Sequence, residues 1–197
     1  ENLFRAIDRL SNTNDVRTGI TSSDFGDADL KLRIDLHFQG EIEAQESWEV
    51  KCIRAVDWNL VPDRWGDLIL TAEHVVLAPW TDEIESLYFA RRPSSFYEVV
   101  GELCDCHVRQ FGRWLPAHRF LRPNLRESVE AGFGMIAEGP VSLVRDLESV
   151  LTRHDMLPSR VKCVRWKPDQ ASSPGLQCIT VSDSFVVAEQ FVASKLP

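Results

Sequence analysis

From Leu30 to Trp58 the chain alternates almost without interruption between apolar and polar residues. Leu30, Leu32, Ile34, Leu36 and Phe38 interleave with Lys31, Arg33, Asp35, His37 and Gln39. After Gln39-Gly40 the pattern resumes. Ile42, Ala44, Trp48, Val50, Cys52 and Val56 interleave with Glu41, Glu43, Gln45, Ser47, Glu49 and Lys51. Side chains of a strand point to opposite faces in turn, so a period of two predicts one buried face and one wet face. The turn signal at Gln39-Gly40 makes the two halves a long antiparallel hairpin over about 29–58. The polar ladder of Arg33, Asp35 and His37 then lies on the wet face.

The rest of the chain is read around that hairpin. Leu3, Phe4, Ile7 and Leu10 have helical spacing over 2–10, and the Ser-, Thr-, Asn- and Asp-rich stretch 11–28 reads as a loop or mobile segment. Leu68 to Leu77 is strongly apolar and predicts a further strand over 67–78, ended by Pro79, with a shorter candidate at Leu87–Ala90. Three helical periods follow. The first opens at the capping-box pair Ser95/Glu98 and runs through Phe111. The second opens at Asn124/Glu127 and runs to Ile136. The third begins after Pro140 and carries Val141, Val144, Leu147, Leu151 and His154 on one face. Val161–Trp166 and Leu176–Val181 flank a Pro/Ser/Gly loop and predict a C-terminal hairpin with Cys163 opposite Cys178, and 185–196 reads as a closing helix. Strands, then helices, then strands predict a single α+β domain over 1–197. Its twisted antiparallel sheet is built on the long hairpin and covered on one face by helices.

Composition narrows the classes of partner. The 197 residues are 44% hydrophobic and 26% charged, enough for a core without disulfides or metal. A net charge of −8 opposes binding to nucleic acid or to an anionic membrane surface. No apolar run approaches the length of a membrane span, and no secretory leader is visible. Five cysteines, an odd number without a secreted framework, fit reduced thiols in the cytoplasm.

The densest reactive group is Cys104-Asp105-Cys106-His107. Thiolate and imidazole are preferred zinc donors, and Cys104 and His107 are three apart on a helix, with His118 as a further ligand candidate. The spacing is not that of a zinc knuckle. Cys106 and His107 also fall on the stripe of Phe96, Val100, Leu103 and Phe111, which predicts burial in the core. A second constellation pairs Glu46, a carboxylate on the apolar parity of its strand, with His74 as acid and base on neighbouring strands. An edge or a bulge at Glu46 is the alternative. Trp58, Trp65, Trp80 and Trp114 lie near predicted element ends, where an indole buries its ring and keeps its N–H in water. No Gly-x-Ser-x-Gly, His-Glu-x-x-His, phosphate-loop or kinase motif is present. The expectation is a non-catalytic binding module without cofactor, engaging a protein partner or an apolar small molecule. The alternative is a metal- or thiol-dependent enzyme using Cys104, Cys106 and His107.

Overall fold

The computed structural model describes residues 3, 5, 15–25, 29–39, 44–61, 64–163 and 175–197. They form an α+β fold of antiparallel sheets. The chain, expected as one domain over 1–197, groups into two compact units, Glu1–Leu77 with Asp169–Pro197, and Ala78–Pro168. No described helix is long and apolar enough to cross a membrane.

The first unit contains the hairpin. Strands β2 (Asp29–Gln39) and β3 (Ala44–Ile53) pair in unbroken register, Leu30 opposite Cys52 through Phe38 opposite Ala44. The even parity is the buried one: Leu30, Leu32, Ile34, Leu36, Trp48, Val50 and Cys52 are at most 1% exposed. Each such side chain contributes about 1.5–3 kcal/mol relative to an exposed one, which locks the register, since a one-residue slip would turn all of them outward.

The hairpin stops earlier than its pattern. Arg54 takes a left-handed conformation, φ 51°, and turns the chain out of β3. The next strand, β4 (Asp57–Asn59), belongs to another sheet. The parity therefore inverts: Asp57 is buried, while Val56 and Trp58 are exposed.

Composition is misleading for 15–25. This stretch is a strand, β1 (Asp15–Phe25), paired along its length with β2 and carrying an irregularity between Ile20 and Ser22. Ladder bonding to β2 and burial of Ile20 outweigh the low strand propensity of its Ser, Asp and Gly residues. The rest of 11–28 lies outside the described residues, as does the 2–10 helix apart from Leu3 and Arg5. Both of those are helical, and Leu3 is fully buried.

The predicted strand 67–78 is two elements run together. Short β5 (Trp65–Gly66) is followed by β6 (Leu68–Thr71), and a 3-10 turn at Val75–Leu77 then buries Val76 and Leu77. Pro79 does not end a strand. It sits in the first turn of a short helix, α1 (Ala78–Thr81), where a missing N–H costs nothing.

The predicted closing helix 185–196 is a pair of strands. Phe185 to Ala188 is an apolar run too short to tell helix from strand by period. It is fully buried, as a central strand is. It forms β11 (Ser184–Ala188), joined to β10 (Gln177–Val181) by a tight turn with Ser182 at φ 53°. After Glu189 the chain continues as β12 (Gln190–Lys195) along β3. The two sheets run β12-β3-β2-β1-β5 and β4-β11-β10-β6. Ile179, Val181, Val186 and Ala188 of the second share one core with the even-numbered face of the hairpin.

The second unit has a three-stranded sheet, β8-β7-β9, made of β7 (Ile84–Phe89), β8 (Gly134–Pro140) and β9 (Ser159–Lys162). Helix α2 (Phe96–Phe111) matches its predicted bounds, and α4 (Val141–Arg153) follows Pro140 as expected. Helix α4 packs on β7 and β8, and α2 packs on α4. The middle helix, α3 (Leu125–Ala131), is shorter than its pattern. Gly132 at φ 83° caps it, and Ile136 lies in β8 instead. Neither Ser95 nor Asn124 makes the side-chain cap bond that its capping box predicts. The 161–181 hairpin is overturned, because β9 pairs with β7 and β10 with β6 and β11.

Candidate functional site

The Cys/His cluster falls on the buried stripe of α2. Cys106 and His107 are each 3% exposed. The His107 ring lies beside Phe111 and Phe120, with centroids 5.5 and 5.9 Å away. Its ring hydrogen-bonds to the Leu115 backbone, and Nε2 has no partner. Burial holds its pKa below the usual histidine range. Cys106 Sγ accepts a hydrogen bond from Arg109 Nη2 at 3.0 Å. Cys104 is half-buried, and His118 is exposed on the 3-10 turn Ala117–Arg119. Among the described residues no three His, Cys, Asp or Glu side chains are grouped to hold a metal ion.

Glu46 and His74 are not on neighbouring strands. Glu46 is in β3, between β2 and β12, whereas His74 follows β6 in the other sheet. Glu46 is not at a bulge, since its register with β2 is continuous. The pairing of β3 with β12 ends at Trp48, with a last backbone bond at Ser47, so Glu46 lies where that side of β3 is open, as the edge alternative expects. Lys195 Nζ at 2.7 Å and the Trp48 indole N–H at 3.3 Å satisfy its carboxylate, which is how the apolar parity tolerates it. His74 Nδ1 accepts the Val76 backbone N–H at 3.4 Å, and burial lowers its pKa. All five cysteines are free. Cys178 sits opposite Thr71 and Val187, and Cys163 lies 3.1 Å from Ser86 Oγ.

What the fold does assemble is the outer face of the five-stranded sheet. One lateral row runs Trp65, Gly19, Asp35, Ser47 across β5, β1, β2 and β3. The next holds Arg17, His37 and Gln45. A Cβ built on Gly19 would lie 2.9, 2.9 and 3.0 Å from three atoms of the Trp65 ring. Near-equal distances to three ring atoms place that position over the ring plane, so the indole lies flat on the strand. Only glycine leaves room for it. His37 meets the indole edge-on at 4.5 Å, and Trp65 remains 40% exposed.

Beside the indole is a fixed polar set. Asp35, although on the wet parity, is 6% exposed. Its carboxylate accepts from Ser47 Oγ at 2.7 Å, Arg33 Nε at 3.4 Å and Gln45 Nε2 at 3.5 Å. Arg33 also reaches Ser47 at 3.2 Å. These mutual bonds hold the side chains in place. The pattern finds this ladder but not its cover. The only local signal for Trp65 over Gly19 is a glycine within a strand, which marks close approach of another group.

The second unit has an open cleft of about 120 Å³ near the start of α2, lined by Arg92, Ser94, Tyr97, Arg126 and Glu130 among others. Glu130 already pairs with Arg126 at 2.9 Å. No family model, no curated protein and no solved structure matches the chain.

Proposed function

We propose that the chain is a non-catalytic interaction module that docks a protein partner on the outer face of the five-stranded sheet, with Trp65 as the anchor. One observation carries this reading: an indole is seated flat on Gly19 and edge-on to His37, with 40% of its surface still exposed. Tryptophan and arginine dominate binding energy at protein interfaces, and a side chain already held in place loses little entropy on docking. Protein is favoured over an apolar small molecule because the space between the two sheets is filled by Trp48, Leu36, Val50, Val186 and their neighbours.

Local charge refines the partner. The net charge of −8 taken alone favours a basic protein. Beside Trp65, however, the carboxylate of Asp35 is buried while Arg17 and Arg33 are exposed. The fitting surface offers an apolar residue to the indole and a carboxylate to these guanidinium groups.

The test is cross-linked capture from cell extract with wild type, Trp65→Ala and Tyr97→Ala. Tyr97 is the control because it is 76% exposed on the other unit. The variants are first matched to wild type by thermal unfolding. Proteins captured by wild type and by Tyr97→Ala but lost from Trp65→Ala support the reading. The same set from all three refutes it.

A further inference from the structure

We infer that β12 is a self-association edge, through which two copies of the chain join about a two-fold axis at Val192 into one continuous sheet. The inference does not rest on the Trp65 reading.

Open sheet edges are templates for added strands, and folded proteins guard them with bulges, charge, cover or short length. The other edges here are guarded. β5 has two residues and β4 three. β1 carries its irregularity where β5 ends. β8 is covered by Arg122, which donates to Ile136 O, by Phe120, whose carbonyl accepts from the Glu138 N–H, and by the bridge from Leu121 to Ala137. β6 and β9 have four residues each, and β9 includes Arg160 and Lys162. β12 has six residues, pairs with β3 in unbroken register, and contains no proline. Among the described residues nothing pairs with its other side. Val192, at its centre, is 46% exposed.

The strand is complementary to itself in one register. Leu196 donates to Ser47 O at 2.8 Å, on the diagonal that places Val192 opposite Lys51. Antiparallel alternation then turns the N–H and C=O groups of Val192 and Ser194 toward β3, and those of Phe191 and Ala193 to the open edge. With Val192 on the axis, Phe191 faces Ala193 of the second copy, and each donates to and accepts from the other. The facing parities agree, since Val192 meets Val192 of the second copy on the outer side while Phe191 and Ala193 meet on the core side. Within β12 the remaining pair is Gln190 with Ser194 of the second copy, so no like charges oppose. The axis is perpendicular to the sheet, which leaves both outer faces on the same side.

Two measurements test this. Multi-angle scattering should give twice the 22.4 kDa chain mass for wild type. It should give a monomer that still unfolds cooperatively for Val192→Lys, which sets like charges together on the axis. The melting temperature of that variant, unlike that of wild type, should not depend on protein concentration. The register is tested by thiol trapping. A residue on the axis faces its own copy at about 4.5 Å between Cα atoms, within disulfide reach. Val192→Cys should therefore form a covalent dimer under mild oxidation, while Ser194→Cys and wild type should not. A wild-type monomer up to the solubility limit overturns the inference. So does a Val192→Lys dimer, or equal trapping at 192 and 194.

Discussion

His107 ties the stability of the 78–168 unit to pH. The ring is 3% exposed beside the stacked pair of Phe111 and Phe120, and Nε2 has no partner. A proton there would be a buried charge without a counter-ion, so burial depresses the pKa, opposed in part by the bond to Leu115. Above about pH 6.5, the unperturbed histidine value, both folded and unfolded states are neutral and the group adds no pH dependence. Below that, the unfolded chain takes up a proton that the folded chain does not. Stability therefore falls as pH drops, by up to about 1.4 kcal/mol per pH unit, and levels off at the folded pKa. His107→Phe keeps a ring in the slot and removes the titration. It forfeits the Leu115 bond, about 0.5–1.5 kcal/mol, against relief of the orphaned nitrogen. Urea unfolding at pH 7, 6 and 5, read by pulsed hydrogen exchange of the α2 amides, gives the slope for each protein. His74 is shifted in the same sense but is present in both, so it cancels in the difference. Wild type should lose more stability than His107→Phe between pH 7 and 5. Equal slopes would refute the argument.

Gly19→Ala should displace the indole, because the new methyl would lie 2.9–3.0 Å from three ring atoms. The expected cost is about 1–2 kcal/mol, with loss of the His37–Trp65 ring-current shift by NMR. Leu36→Asp places a carboxylate at a site with no exposure and should remove more than about 4 kcal/mol; cooperative unfolding near wild-type stability would mean the strand parity is misassigned. Thiol labelling of the native protein should reach half-buried Cys104 and Cys163 first. Cys52 and Cys178, whose thiols burial pushes up to about 12 and about 11, should react only on unfolding.

Where one physical rule dominates, the pattern and the structure agree. The even-numbered stripe of β2 and β3 is buried because period two leaves no other arrangement, and α2 and α4 follow because their stripes have period 3.6. Short apolar runs are another matter. Phe185–Ala188 and Leu68–Leu77 carry no decisive period, and their state is set by strand pairing, of β11 with the adjacent β10 and the distant β4, and of β6 with the distant β10. The end of the hairpin depends on one left-handed residue, Arg54, of a type that gives no turn signal. Reactive residue types drew attention to Cys106 and His107, which pack in a core. The proposed site rests instead on Gly19 and Trp65, 46 positions apart in the sequence, and on an ordinary polar ladder at 33–37.

Covalent footprinting tests the central claim most directly. The chain is labelled with a carbene reagent alone and in cell extract, and modification is read by peptide mass spectrometry. Protection in extract confined to Trp65, His37, Arg17 and Arg33, with Tyr97 unchanged, is the predicted result. Equal labelling of Trp65 in both settings, or protection centred on the 78–168 unit, would contradict it.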